Sequence, residues 1–216
     1  MLLTAHSGAN GTPANEIGYF EEMKHVNADV IEVDIRNVKG KLVLTHNKVR
    51  FWQKKKEFLP LLYAFEFVKK YDFKINCDLK TPGLVKDLMT AAEEFGVESR
   101  IIVTGSAGDA EDVKEIRFGD LYVNADYLPK LLPKNVKKIR KALEELGPFA
   151  KGINVNFRDV TDEFLYACEK ENVPVSIFTI DDVELIKKYA AFPAVVNITT
   201  RLANEGLAAL GREVRK

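Results

Sequence analysis

The sequence predicts an α/β chain, a (β/α)8 TIM barrel formed as a single domain with an early β-hairpin. Three observations carry that expectation. Short apolar, β-branched runs alternate with amphipathic helical stretches along the whole chain, the pattern that crossover connections in a parallel sheet produce. Two adjacent runs, 30–36 and 42–46, meet across Lys39–Gly40 and read as a hairpin, so nine strand candidates leave eight principal ones. The length of 216 residues lies at the lower end of what eight βα units require.

Taken in order, LLTAH (2–6) is a brief apolar strand ended by His6, and a helix over 15–27 follows a Gly- and Pro-punctuated segment. VIEVDIR (30–36) and LVLTH (42–46) form the hairpin. A helix over 60–71 precedes KINCDL (74–79), a helix over 83–95 precedes RIIVTG (100–105), and a helix over 108–117 precedes LYVNA (121–125). A helix over 133–146 then leads to GINVN (152–156). The helix over 161–171 starts at Thr161, whose hydroxyl suits the unpaired first-turn N–H groups, and presents Phe164, Leu165, Ala167 and Cys168 as an apolar face. PVSIFT (174–179) follows, then a helix over 181–190 that opens with Asp181 and Asp182, where carboxylates favour a helix start. AVVNIT (194–199) and a closing helix over 202–210 complete the set. A doubly wound open sheet is the competing architecture, but no GxGxxG follows any strand. No low-complexity segment or Pro/Gly-rich linker interrupts the chain, so residues 1–216 are expected to form one domain.

Composition excludes several function classes. Hydrophobic residues at 46% and charged residues at 30% belong to a globular protein with a substantial core. Thirty-two basic and thirty-two acidic residues leave no net field to attract nucleic acid or an anionic membrane. Locally, Lys48, Arg50, Lys54, Lys55 and Lys56 form a basic cluster around Trp52. Two cysteines make no disulfide framework, and Cys77 reads as a buried thiol. The opening MLLTAH lacks a charged leader and is too short to insert stably in a membrane, so a cytoplasmic chain is expected. Oligomeric state is not legible.

The informative feature is where polar residues interrupt the strands. His6 ends the first strand, Glu32 and Asp34 share one face of the second, His46 ends the hairpin partner, and Asp78 and Lys80 repeat the two-residue spacing on the next. Barrel enzymes collect their active residues at the C-terminal strand ends. Three carboxylates packed together require a cation, and an all-oxygen set favours Mg2+ or Ca2+, with Mn2+ as an alternative. Two histidines beside such an ion suit general acid and base, and Lys80 would take developing negative charge. The combination points to phosphodiester cleavage.

These segments resemble the glycerophosphodiester phosphodiesterase family. AHSG (5–8) and PANE (13–16) resemble its AHRG…PENT opening; IEVDI (31–35), LTHN (44–47) and CDLK (77–80) resemble its next three strand ends. VSIFTIDD (175–182) and NITT (197–200) are similar to its last two strands. The resemblance implies a barrel that opens a glycerophosphodiester to glycerol 3-phosphate and an alcohol. It implies His6 and His46 as the acid–base pair, Glu32, Asp34 and Asp78 as metal ligands, and Lys80 as a phosphate contact. Phe178 falls in the slot of a family tryptophan that would pack on substrate. Ser7 stands where the family has a phosphate-binding Arg, so the Ser7 hydroxyl or Asn10 would have to bind phosphate more weakly. Ala14, Asn47 and Thr200 replace acidic family residues, and Asp78 replaces a Glu. CDLKTPG also resembles sphingomyelinase D-type phospholipases, which keeps a lyase giving a cyclic phosphate open. A non-catalytic barrel binding an anionic ligand is the reading from another class.

Overall fold

The computed structural model describes residues 1–49 and 57–213. Arg50, Trp52, Lys54, Lys55 and Lys56 of the basic cluster lie outside them. Eight parallel strands close into a barrel: β1 (Leu2–Ala5), β2 (Val30–Val38), β4 (Lys74–Leu79), β5 (Ile101–Gly105), β6 (Asp120–Asn124), β7 (Ala150–Asn156), β8 (Val175–Phe178) and β9 (Val195–Thr200). Around the barrel they run β1-β9-β8-β7-β6-β5-β4-β2, and β2 pairs back to β1 through Thr4 opposite Val30. The remaining strand, β3 (Lys41–Leu44), is antiparallel to the far end of β2, from Ile35 opposite Leu44 to Val38 opposite Lys41. Its turn has Lys39 at φ 54° and Gly40 at φ 78°, the doubly left-handed geometry of a tight hairpin. The Asn37 carboxamide oxygen accepts the Gly40 N–H at 2.9 Å.

The connecting helices are α1 (Ile17–Met23), α2 (Leu61–Tyr71), α3 (Val85–Phe95), α4 (Ala110–Lys114), α5 (Val136–Leu146), α6 (Asp162–Lys170), α7 (Val183–Ala190) and α8 (Ala203–Ala209). They cover the strands from outside, and the core is the layer between. Ile31, Val33, Ile35, Ile75, Cys77 and Leu79 are fully buried there with Phe20, Phe65, Leu88 and Phe164 from the helices. Each fully buried Ile, Leu or Phe contributes about 1.5–3 kcal/mol. Thr161 caps α6 by accepting the Phe164 N–H at 3.2 Å. Asp182 alone caps α7, while Asp181 turns away to Arg201.

Three helices fall short of their sequence patterns by three residues or more. The first begins at Ile17 because Asn15 is left-handed, at φ 59°, and its side chain leaves for the barrel. The fourth is held to a little over one turn between its Asp109 cap and the turn at Gly119, where φ is 80°. The fifth is preceded by a 3₁₀ turn at Pro133–Asn135 in place of its first α-turn. Among the described residues, no helix is long and apolar enough to cross a membrane.

One glycine ties the fold to the polar end of the barrel. Gly105 closes β5 at φ +81°, and a Cβ there would collide with the Asp78 carboxylate and the Leu79 backbone. Gly105→Ala is expected to destabilise the protein by about 2–5 kcal/mol, from left-handed strain of about 1–2 and overpacking of about 1–3. An unchanged urea midpoint would overturn that assignment.

Candidate active site

Parallel pairing in register brings the polar residues to one end of the barrel. Asp34 and Asp78 are direct cross-strand partners, as are Glu32 and Asn76. One carboxylate oxygen from each of Glu32, Asp34 and Asp78 lies within 4.8 Å of the others. The Lys80 ammonium sits between two of them, 2.8 Å from Asp34 Oδ1 and 2.5 Å from Asp78 Oδ2. The second contact is a hydrogen bond; the first is an ion pair out of line for one, which leaves Asp34 Oδ1 buried without a donor. His6, Glu32, His46, Asp78, Lys80 and Phe178 all line one cavity of about 740 Å³. Asp34 lies just beneath, 1% exposed.

The two histidines stand in different surroundings. His6 follows β1 and is partly buried; its Nδ1 lies 2.6 Å from the Ser7 carbonyl. A carbonyl only accepts, so Nδ1 carries the proton and Nε2 keeps its lone pair, 3.8 Å from Glu32 Oε1. Burial pulls the His6 pKa below its ordinary value, the Ser7 carbonyl partly offsets this, and nearby Arg201 lowers it further. His46 follows β3 and is exposed. Arg36 fixes the backbone on either side of the mouth, donating to the His46 carbonyl at 3.0 Å and the Lys80 carbonyl at 3.2 Å.

The carboxylates differ as sharply. Burial drives the Glu32 carboxyl well above the usual range, and the charges of Asp78 and Asp34 push the same way. Burial also raises Asp78, with Lys80 opposing. Asp34 is buried too, yet Lys80 and a hydrogen bond from Asn15 hold it below its ordinary value. Burial alone would depress the Lys80 ammonium, but Asp78 and Asp34 raise it above its ordinary value. Three converging carboxylates, one of them without a donor on a buried oxygen, fit a hard divalent cation held by oxygen alone.

Asn15 is a residue that the sequence pattern did not single out. It is 5% exposed and grips Asp34 twice: its Nδ2 donates to Asp34 Oδ2 at 2.6 Å, and its Oδ1 accepts the Asp34 N–H at 2.9 Å. The signal was present in PANE, where Asn tolerates the left-handed turn before a helix. Also unforeseen is a belt of neutral polar groups across the barrel interior. Thr4 donates to Asn197 (2.8 Å), Asn197 to Ser176 (3.0 Å), Ser176 to Asn154 (3.0 Å) and Asn154 to Asn124 (2.9 Å). Arg201, also missed, faces the cavity from the end of β9 with its guanidinium 2.7 Å from Asp181.

Two expectations about the opening segment need correcting. Ser7 is 2% exposed and not among the cavity-lining residues; its hydroxyl is buried without a hydrogen-bond partner. Asn10 is spent on the fold: it donates to Glu22 at 2.9 Å and accepts the Ala203 N–H at 3.0 Å, at the start of α8. Thr200 likewise turns inward and accepts the Leu202 N–H at 2.9 Å.

No protein-family model matches the sequence, and no curated protein is significantly similar to it. Solved structures do resemble it. A glycerophosphodiester phosphodiesterase from Parabacteroides distasonis aligns over 97% of this chain and 96% of its own, with a TM-score of 0.77 and 17% identity. An Oleispira antarctica phosphodiesterase, solved with its product sn-glycerol-3-phosphate, aligns over 98% and 97%, with a TM-score of 0.76 and 15% identity. A glycerophosphodiester phosphodiesterase from Agrobacterium tumefaciens gives 0.70 at 14% identity, over 98% and 99% of the two chains. The chain has the fold of the glycerophosphodiester phosphodiesterases. Its likeness to these phosphodiesterases spans the whole barrel, from the His6 strand to the Thr200 strand.

The raised Glu32 carboxyl has a measurable consequence. A group whose pKa rises on folding stabilises the fold at low pH, and that contribution is lost as pH climbs from its ordinary 4.5 through the folded value. His6 acts oppositely: its lowered pKa adds stability that is complete above its ordinary 6.5 and lost as pH falls through the folded value. In EDTA, the melting temperature of Glu32→Gln relative to the parent should rise as pH increases from about 4.5 to about 8. A pH-independent difference would sink the assignment.

Proposed function

We propose that this chain is a single-domain, metal-dependent phosphodiesterase that cleaves glycerophosphodiesters, or related phospholipid headgroup diesters, to a phosphomonoester and an alcohol. The observation that carries the reading is the convergence of two histidines, three carboxylates and a lysine on one cavity of this barrel fold. The Oleispira phosphodiesterase, with its bound sn-glycerol-3-phosphate, supports the substrate class.

Glu32, Asp34 and Asp78 would hold the cation, with Mg2+ or Ca2+ favoured over Mn2+ by the oxygen ligands. When bound, a divalent ion neutralises phosphoryl charge and lowers the pKa of an attacking hydroxyl. The protein's own groups do the rest. His6, neutral and with Nε2 unprotonated, accepts the proton of the substrate's neighbouring hydroxyl as that oxygen attacks phosphorus. As the bond from phosphorus to the leaving oxygen breaks, His46 gives its proton to the departing alkoxide. The product is a cyclic phosphate. Water then opens the ring with roles reversed: His46 takes the water proton and His6 returns its own to the ring oxygen. Lys80 faces the non-bridging phosphate oxygens, and Asn15 keeps Asp34 in place. Phe178, in the cavity wall, offers its ring to the carbon face of the substrate.

Assay with glycerophosphoglycerol, glycerophosphocholine and bis-p-nitrophenyl phosphate tests the proposal. Turnover should require Mg2+, Ca2+ or Mn2+ and vanish in EDTA; no metal-dependent turnover of any diester refutes the function. His6→Ala and His46→Ala should each lower kcat by about 100-fold or more, as loss of general acid–base catalysis does. Full activity in either variant would refute its assigned role.

A further inference from the structure

The cavity wall across the barrel from β2 is built from amides. Asn124, Asn154 and Asn156 reach it from β6 and β7, and β7 stands diametrically opposite the strand that carries Glu32 and Asp34; Asn76, on β4 beside β2, lines the near side. In every one of the four, the side-chain oxygen is taken by a protein donor. Thr104 donates to Asn76 at 3.0 Å, Asn154 to Asn124 at 2.9 Å, Ser176 to Asn154 at 3.0 Å, and the Arg158 N–H to Asn156 at 3.0 Å. An amide with its oxygen engaged presents N–H donors only. Among the described residues, no acceptor takes the NH2 groups of Asn76, Asn124 or Asn156.

The rim of this wall disfavours a second anion. Asp126, Asp181 and Asp182 are balanced in part by Arg158 and Arg201, so there is no excess positive charge to draw a second anion. A quaternary ammonium would find Tyr127 and Phe178 in the cavity wall, but not Phe157, whose ring the Arg158 guanidinium covers at 5.3 Å. It would also meet N–H donors rather than acceptors. A lipid chain would need apolar walls. What fits is a neutral group rich in hydroxyls, whose oxygens accept from the amides.

We infer that this amide wall is a subsite for a neutral polyol as the leaving alcohol of the diester, such as glycerol or inositol. The inference rests on the phosphodiesterase reading, because it assigns the second arm of the same substrate. Phosphorus sits over the carboxylates, and the polyol arm lies across the barrel on Asn124, Asn154 and Asn156.

The test is the ratio of kcat/KM for glycerophosphoglycerol over that for glycerophosphocholine, with saturating Mg2+. The parent should favour the polyol diester by about tenfold or more, the worth of one or two hydrogen bonds. Asn156→Asp keeps the acceptor for the Arg158 N–H but removes the donors and adds a negative charge, so it should move the ratio toward the choline diester. Asn124→Ala should lower the ratio as well. A parent without preference, or variants that keep the parent's ratio, would overturn the subsite. If no diester is turned over, the function fails separately, and calorimetric binding of glycerophosphoglycerol in EDTA still reads the wall. Affinity weakened about tenfold in Asn156→Asp then supports the subsite, and no binding or unchanged affinity overturns it.

Discussion

In-register parallel pairing ties the facing of each strand to that of its neighbours, and the chemistry of this barrel depends on that constraint. Asp34 is paired with Asp78, Asp78 with Thr104, Asn124 with Asn154, Asn154 with Ser176, and Ser176 with Asn197. Because side chains alternate with a period of two, all of these share the inner face while Ile31, Val33, Ile75, Cys77, Val103 and Ile153 share the outer one. A slip of one residue in any strand would turn its polar groups into the apolar layer and open a gap in the ring. Strands buried on both sides usually read as continuous apolar runs. Here alternation extends around the barrel, so its inner surface is a polar chamber over the upper half.

That chamber is divided by charge. On the β1–β2–β4 side, full charges are crowded and held by two positioning residues: Asn15 grips Asp34, and Arg36 holds the backbone beside His46 and Lys80. On the β6–β7–β8 side, every member is neutral and each spends its acceptor on the next. A directional chain of this kind polarises its own bonds and resists rearrangement. It also leaves the amide donors of Asn124, its last member, facing the cavity. Charge on one side and dipoles on the other are what a diester with one ionised phosphate and two alcohol arms calls for.

The barrel order and the positions of the six candidate residues were legible because they stand at strand ends, with period-two spacing, in segments bounded by Gly, Pro and Asn. The belt was legible in principle: YVNA, GINVN and VVNIT each place Asn at an inner position of its strand. A single strand reveals no phase relation to the next, so those asparagines pass for strand-end punctuation until the registers are known. Ser7 and Asn10 failed for a different reason. Both are polar and adjacent to His6, but the left-handed turn that begins at Gly8, with φ 84°, sends one into the wall and the other to the start of α8. Proximity in sequence did not survive that change of direction. Arg201 escaped notice because its importance comes from Asp181, twenty residues away on the neighbouring strand end.

Lys80 gives the site a history as well as a geometry. Its ammonium occupies the space between Asp34 and Asp78, where mutual repulsion would otherwise be worst. A small metal-ligand domain that lacks such an internal counter-ion cannot fold until its metal arrives. This barrel carries its own stand-in on the chain. Its carboxylates can come together with no other cation present, because Lys80 is already paired with two of them. Under the proposed function, a cation held by the three carboxylates would compete with the lysine for Asp34 and Asp78, and a displaced ammonium would stay within reach of the phosphate.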